Sequence, residues 1–183
     1  MLTRKRHSWI VVLLTVAVLF VASTTLAMAK TSVKKVVYQG SGKVEVYYKS
    51  SVTYEDSVKV TAKDNSNKTY KTVIKSKEGS KIVFQIKSYK SGKTYKVTVN
   101  GISSSGDAVT SFKIYSKSSA VKTAKSKSKA TSIKNVQSKD DKYNGYGIWR
   151  ITFTGKYDGE TYKYTYLIKQ QTGKVMNYSR EKV

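Results

Sequence analysis

Between residues 33 and 115, apolar and polar side chains alternate along short segments that are separated by clusters of Gly, Ser, Asn and Asp. A strand places every second side chain on the same face, so this period of two predicts half-buried antiparallel strands. With an opening strand over residues 33–38, the pattern predicts a mainly β fold of seven strands, spaced as in a sandwich of two sheets. The side chains expected to face inward are Val44, Val46, Tyr48; Val58, Val60, Ala62; Tyr70, Thr72, Ile74; Ile82, Phe84, Ile86; Tyr95, Val97, Val99; and Ala108, Thr110, Phe112, Ile114.

One segment of this region resembles a known family. Residues 89–102, Tyr-Lys-Ser-Gly-Lys-Thr-Tyr-Lys-Val-Thr-Val-Asn-Gly-Ile, are similar to the turn and sixth strand of fibronectin type III and related immunoglobulin-like modules. In that family a tyrosine at the position of Tyr95 bonds its hydroxyl back to the chain and closes a corner. The resemblance implies an immunoglobulin-like β-sandwich over residues 30–116, in which Tyr48 or Phe84 fills the place of the family's core tryptophan.

The composition changes to Ser, Lys, Ala and Thr after this region. Few large apolar groups are available there for burial, so residues 117–130 are expected to form a basic Ser/Lys linker or a marginal helix. No acidic residue lies between Asp107 and Asp140, and this basic stretch is either a solvated linker or an arm that binds polyanions. The candidate polyanion contacts are Lys113, Lys117, Lys122, Lys125, Lys127 and Lys129.

The last 50 residues or so are rich in aromatic side chains that again alternate. Three antiparallel strands are expected, with a shorter one before them at residues 133–137 and a tight turn at Asp158-Gly159. The aromatic row has two interpretations. It is either a platform on which a sugar or peptide stacks, or a small core whose tyrosine hydroxyls remain in contact with water. The core is the preferred interpretation. The platform would consist of Trp149, Tyr162, Tyr164 and Tyr166.

This C-terminal region also carries a resemblance. The segments 148–153 (Ile-Trp-Arg-Ile-Thr-Phe), 157–159 (Tyr-Asp-Gly) and 162–175 look like a PepSY domain, a family found in propeptides of secreted metallopeptidases and in many exported bacterial proteins. The resemblance implies a small antiparallel sheet with a helix packed on it over residues 131–183, which is α+β if the Ser/Lys tract is helical, and a role as regulator or inhibitor of a secreted peptidase. Lys169 departs from the family's acidic turn residue, and the Ser/Lys tract stands where an amphipathic helix is expected.

Residues 1–29 have the three parts of a secretory signal peptide. A cationic start at residues 4–7 precedes an apolar run over residues 9–22, and Ala27 and Ala29 supply the small side chains that precede a cleavage site. We expect cleavage before Lys30, which leaves no membrane span and a protein that is secreted or held at the cell surface or wall. The alternative is an uncleaved N-terminal anchor, since the apolar run extended through Ala29 approaches the roughly 20 residues that cross a bilayer.

The mature chain is strongly basic. Removal of residues 1–29 takes away three of the 35 Lys and Arg and none of the 11 Asp and Glu, which leaves a net charge of +21. Such an excess predicts attraction to polyanions, namely nucleic acid, an anionic lipid surface or the anionic polymers of a bacterial cell wall. The alternative is that the lysines are spread over solvated faces, since alternate residues of a strand must be polar in any case. Export makes nucleic acid the least expected of the three.

The mature chain lacks the residues that most familiar catalytic mechanisms need. Cys is absent and the only His is His7, inside the leader, so thiol nucleophiles, histidine relays and the common zinc sites are excluded, and no cofactor or metal is expected. A calcium loop at residues 64–68 is not expected, because Lys68 stands where an oxygen donor would be needed. The carboxylates are expected to be solvated turn acids: Glu55, Asp56, Asp140, Asp141, Asp158 and Glu160. The sequence therefore favours an exported, non-catalytic binding protein, with a peptidase regulator and a carboxylate-based hydrolase as alternatives.

Overall fold

The structure, a computed structural model, describes residues 30–103 and 106–183, so the predicted leader and the Ala27 and Ala29 positions lie outside the described residues. The fold is mainly β, as the alternation predicted. The elements are β1 (Val33–Gly40), β2 (Lys43–Tyr48), β3 (Tyr54–Asp64), β4 (Thr69–Tyr70), β5 (Thr72–Glu78), β6 (Lys81–Ile86), β7 (Thr94–Ile102), β8 (Ala108–Lys113), α1 (Lys117–Ser128), β9 (Thr131–Tyr143), β10 (Tyr146–Tyr157), β11 (Glu160–Lys169) and β12 (Val175–Lys182).

The first eight strands form two four-stranded antiparallel sheets, with the orders β1-β2-β6-β5 and β4-β3-β7-β8. Their inner faces share one core, in which the predicted inward-facing residues are buried except Val58, Thr72, Ile74 and Thr110, which are half-buried. Tyr48 and Phe84, both proposed to fill the central space, are both in this core. We call this unit the sandwich.

The strand count differs from the expected seven because one predicted strand is split between the sheets. Thr69 and Tyr70 pair with β3, whereas Thr72 pairs with Ile86 of β6 in the other sheet, so the chain changes sheets at Lys71. The hydroxyl of Thr72 in β5 donates to the carbonyl of Val60 in β3 at 2.5 Å, and this hydrogen bond links the two sheets where the chain passes between them.

The corner expected at Tyr95 is formed. Its hydroxyl accepts a hydrogen bond from the backbone N–H of Lys90 at 2.7 Å and donates to the carbonyl of the same residue at 2.9 Å. The buried ring of Tyr95 also stacks on Phe112, with centroids 5.7 Å apart. The turn before β7 is thereby tied to the core through one side chain.

The last four strands form an antiparallel meander of order β12-β11-β10-β9, which we call the C-terminal sheet. The short strand expected at residues 133–137 is longer, because β9 pairs with β10 from Thr131 to Tyr143. The Ser/Lys tract is a helix packed on this sheet rather than an extended linker. Ser116 caps the helix by accepting from the N–H of Ser119, and the buried side of the helix consists of Ala120, Ala124 and Ser128.

The sandwich and the C-terminal sheet meet at a close junction. The start of β10 lies so near the end of β1 that a methyl group added at Gly147 would come within 2.6 Å of the Cα of Gly40. Tyr115, between β8 and α1, donates its N–H to the carbonyl of Gln170 at 2.7 Å and accepts from the indole N–H of Trp149 at 3.0 Å. The connecting segment is therefore hydrogen-bonded to the sheet that follows it.

Two consecutive glutamines complete the junction. Gln170 is fully buried and donates from Nε2 to Asp140 at 2.8 Å and to the carbonyl of Ile148 at 3.0 Å. Gln171 donates to the carbonyl of Val36 and accepts from the N–H of Tyr38, as a neighbouring strand would do at this outer edge of β1. Backbone groups of an edge strand are thus satisfied by a side chain of the other unit.

Candidate functional site

The six predicted polyanion contacts are all exposed, and they lie close together along the chain. Lys113 ends β8, Lys129 caps α1, and the other four belong to the helix: Lys117, Lys122, Lys125 and Lys127. Lys125 and Lys127 lie in the last turn, where positive charge interacts favourably with the helix dipole.

The spacing of the helix lysines places two of them side by side. Lys122 and Lys125 are three residues apart, which corresponds to neighbouring positions on a helix surface, whereas Lys129 lies beyond the helix in a left-handed conformation. The ion pairs among the described residues use Lys81, Lys93, Arg150 and Lys182 and none of the six candidate lysines. No carboxylate of the described residues therefore neutralises these six charges, although the ammonium group of Lys113 lies 4.9 Å from the ring centroid of Tyr115.

None of the four residues of the predicted aromatic platform is exposed. Trp149, Tyr164 and Tyr166 are buried in the core between the C-terminal sheet and α1, and Tyr162 is half-buried beside them. The preferred alternative, a small aromatic core, describes their environment. The physical reason is that the helix covers the face on which these rings alternate.

The rings of this core form a nearly parallel row that ends in solvent. Phe153 stacks on Tyr164 at 5.1 Å and on Tyr166 at 6.2 Å between ring centroids. Tyr166 stacks in turn on Tyr178 of β12 at 5.6 Å with an interplanar angle of 17°. Tyr178 is 62% exposed, so the row begins in the core and finishes with an accessible ring.

A groove of about 460 Å³ lies where α1 ends above the last two strands. Its lining combines three cationic side chains, four tyrosines and two further residues: Lys127, Lys129, Arg180, Tyr157, Tyr164, Tyr166, Tyr178, Ser128 and Val175. The sequence reasoning missed Tyr157, Tyr178 and Arg180 as site residues. The signal was the alternation of residues 178, 180 and 182 on the strand next to the tyrosine row.

Two groups in the groove have distinctive environments. The guanidinium of Arg180 lies 4.9 Å from the ring centroid of Tyr157 and 4.8 Å from that of Tyr162, so two rings hold it. The hydroxyl of Tyr164 is buried and has no hydrogen-bond partner among the described residues.

The carboxylates mainly serve structural contacts, and two of the expected turn pairs lie in strands instead. Glu55 and Asp56 lie in β3 and are exposed, whereas Asp140 and Asp141 lie in β9. Asp140 accepts from the hydroxyl of Tyr89 at 2.8 Å as well as from Gln170. Neighbouring residues of a strand point to opposite faces, so neither pair converges on one cleft.

Asp141 and Asp64 are also held by specific partners. A 2.8 Å hydrogen bond from Arg150 and the N–H of Lys142 lower the pKa of Asp141. Burial alone would raise the pKa of Asp64, but hydrogen bonds from Ser66, Lys68 and Tyr70 outweigh it and lower the pKa. Asp64 therefore closes the turn over residues 64–68 that was considered as a calcium loop.

Of the other expected acids, Asp158 does occupy the tight turn between β10 and β11, with a φ of 50°, and Glu160 begins β11. Among residues 30–103 and 106–183, no cluster of three or more His, Cys, Asp or Glu is arranged to hold a metal ion. Within the same ranges, no helix combines the length and the apolar character needed to cross a bilayer.

Comparisons of this chain with protein families, with curated proteins and with solved structures find no match.

Proposed function

We propose that this protein is an exported, non-catalytic binding protein that associates with anionic polymers of the bacterial cell surface or wall. The observation that carries the proposal is the set of exposed lysines on α1 and at its ends, which have no acidic partner among the described residues. A helix packed on a sheet holds these charges at fixed spacing, whereas a free linker would lose entropy on binding.

The charge balance supports the same proposal. A polymer that carries one negative charge per repeating unit binds a cationic surface with release of its counterions, so a net charge of +21 on the mature chain favours association. The predicted leader supports a partner outside the cytoplasm.

The architecture of the two units supports a proposal about their relationship to known modules. The strand orders correspond to the two sheets of a constant-type immunoglobulin domain with one short added strand, and Tyr95 bonds as a tyrosine corner does. We infer that the sandwich is an immunoglobulin-like module and that the C-terminal sheet with α1 is PepSY-like.

The helix on the C-terminal sheet favours a second candidate, a regulator of a secreted peptidase. It supplies the layer that the PepSY resemblance implies. The mature protein would then inhibit a secreted metallopeptidase in a chromogenic assay at equimolar concentration, and unchanged peptidase rates would remove this candidate.

Binding of the mature protein to purified cell walls tests the first candidate. The variant carries Lys117→Gln, Lys122→Gln and Lys125→Gln, which keep helix propensity nearly constant and leave the groove lining intact. The matched control removes the same charge from exposed positions of the sandwich with Lys59→Gln, Lys63→Gln and Lys96→Gln.

We expect the helix variant to weaken wall binding by at least about tenfold relative to the control variant at low salt, and 1 M salt to release the wild type, since the Debye length there is about 3 Å. Equal losses in the two variants would show that only total charge matters. Retention of the wild type in 1 M salt would overturn the proposal.

A further inference from the structure

The groove at the end of α1 contains more than positive charge. An exposed ring and a guanidinium that contacts two rings lie on one face of the sheet beside Lys127 and Lys129. A surface that only attracts a polyanion by its charge needs neither of these two features. Each of them selects a different part of a ligand.

The ring is Tyr178, the exposed end of the stacked row. Its orientation is fixed by Tyr166, against which it stacks with centroids 5.6 Å apart. The face of an aromatic ring is negative and the C–H groups on the face of a pyranose are weakly positive, so a sugar ring can continue the row. Little side-chain entropy is lost on binding, because the ring is already stacked.

The guanidinium is that of Arg180, two residues further along β12. Residues two apart on a strand lie about 6.6 Å from each other on the same face, so the long side chain of Arg180 can reach a substituent of a sugar that stacks on Tyr178. The guanidinium presents a planar set of donors that fits a carboxylate or a phosphate, and its contacts with Tyr157 and Tyr162 restrict its movement. Lys127 and Lys129 add charge on the helix side of the groove.

We propose that the groove binds one saccharide unit that bears an anionic group, with the sugar ring on Tyr178 and the anion at Arg180. This assignment rests on the proposed function and deepens it, because the lysines of α1 supply general attraction while the groove selects a glycan among anionic polymers. The anionic group is a carboxylate in a uronic acid polymer or a phosphate in a sugar-phosphate polymer.

Calorimetric titration of the mature protein with four soluble probes tests the assignment. Tetragalacturonate and maltotetraose 1-phosphate carry a sugar with a carboxylate or a phosphate, whereas tripolyphosphate carries charge alone and maltotetraose carries sugar alone. The variants are Tyr178→Ala, Tyr178→Phe and Arg180→Gln. Tyr47→Ala, in which a half-exposed tyrosine of the sandwich with a lysine 4.5 Å from its ring is removed, is the matched control.

We expect one or both anionic saccharides to bind, and the preferred one identifies the anionic group. Tyr178→Ala and Arg180→Gln should each weaken that binding at least about tenfold, a loss of about 1.4 kcal/mol, whereas Tyr178→Phe and Tyr47→Ala should leave it within about threefold. Binding of tripolyphosphate should be unchanged by Tyr178→Ala.

Saccharide affinity that is insensitive to Tyr178→Ala, or tripolyphosphate binding as tight as either anionic saccharide, would overturn the groove assignment. The failure of the groove is separable from that of the proposed function. Wall binding that still depends on Lys117, Lys122 and Lys125 would leave the function standing without the groove. Saccharide binding in the groove together with wall retention that resists 1 M salt would support the groove and overturn the proposed function.

Discussion

The sandwich and the C-terminal sheet bury their cores in different ways. In the sandwich two sheets each contribute large side chains, such as Phe84 and Tyr95, and enclose the core from both sides. In the C-terminal unit one sheet contributes the rings, while the helix above it contributes mainly Ala120 and Ala124. A single narrow helix covers only part of a sheet face, and the groove lies where this cover ends.

The largest expected effect tests the two cores with equivalent truncations. Phe84→Ala should lower the free energy of unfolding by about 3–5 kcal/mol, because two sheets held by their strand pairing close poorly around the lost ring. Phe153→Ala should cost about 1 kcal/mol less, since a helix of small side chains can settle toward the sheet. Urea unfolding followed by circular dichroism measures both, and equal losses would remove this distinction between the units.

A substitution in the helix tests its close approach to the sheet. Ala124 is fully buried, so Ala124→Leu should force the helix away and destabilise the protein by about 1–3 kcal/mol. Ser126→Leu places the same side chain at an exposed position of the helix and should change stability by less than about 0.5 kcal/mol. The same loss from both variants would show that α1 does not need small residues to pack.

A smaller loss of stability is expected at the corner that Tyr95 closes in the sandwich. Tyr95→Phe removes a hydroxyl that bonds twice to the backbone of Lys90, and we expect a loss of about 1 kcal/mol in the free energy of unfolding. Tyr178→Phe removes the hydroxyl of an exposed tyrosine in the other unit and serves as the control. An unchanged melting midpoint in Tyr95→Phe would mean that the corner adds no stability.

Alkaline pH should weaken the sandwich in a graded way. Burial, and then the hydrogen bond to Asp64, raise the pKa of Tyr70 from 10.0 to about 12. Between these values the folded state keeps a proton that the unfolded state has lost, so this stability is complete below pH 10 and falls as the pH rises toward 12. Melting midpoints across this interval measure the decline. Tyr70→Phe should reduce it, and an identical decline would contradict the assignment.

The sequence predicted the mainly β class and most of the sandwich core because alternation depends only on the local period of a strand. It did not predict the change of sheet at Lys71, since Thr-Tyr-Lys-Thr contains no local signal for leaving one sheet and joining another. Tyr70 and Thr72 were therefore placed in one strand.

The candidate site was predicted less completely than the fold, because several of its residues meet only through contacts that have no local signal in the sequence. The lysines of α1 were identified because a run of like charge is visible in the sequence. Tyr178 and Arg180 reach the groove only through pairing with β11, and an irregularity between Leu167 and Ile168 shifts that register. Asp140 was expected to be a solvated turn acid. Its hydrogen bond from Tyr89 could not be predicted, because the two residues are 51 positions apart in the chain.

The hydrogen bond between Trp149 and Tyr115 has a practical consequence. The other tryptophan, Trp9, lies in the predicted leader, so the mature chain carries a single indole, and that indole bonds to the segment that joins the two units. Tryptophan fluorescence therefore reports on the joint and on the C-terminal core in which Trp149 is buried, rather than on the interior of the sandwich. An emission shift that precedes the loss of the β-sheet signal means that this part of the protein opens before the sandwich, whereas coincident transitions mean that the two units unfold as one body.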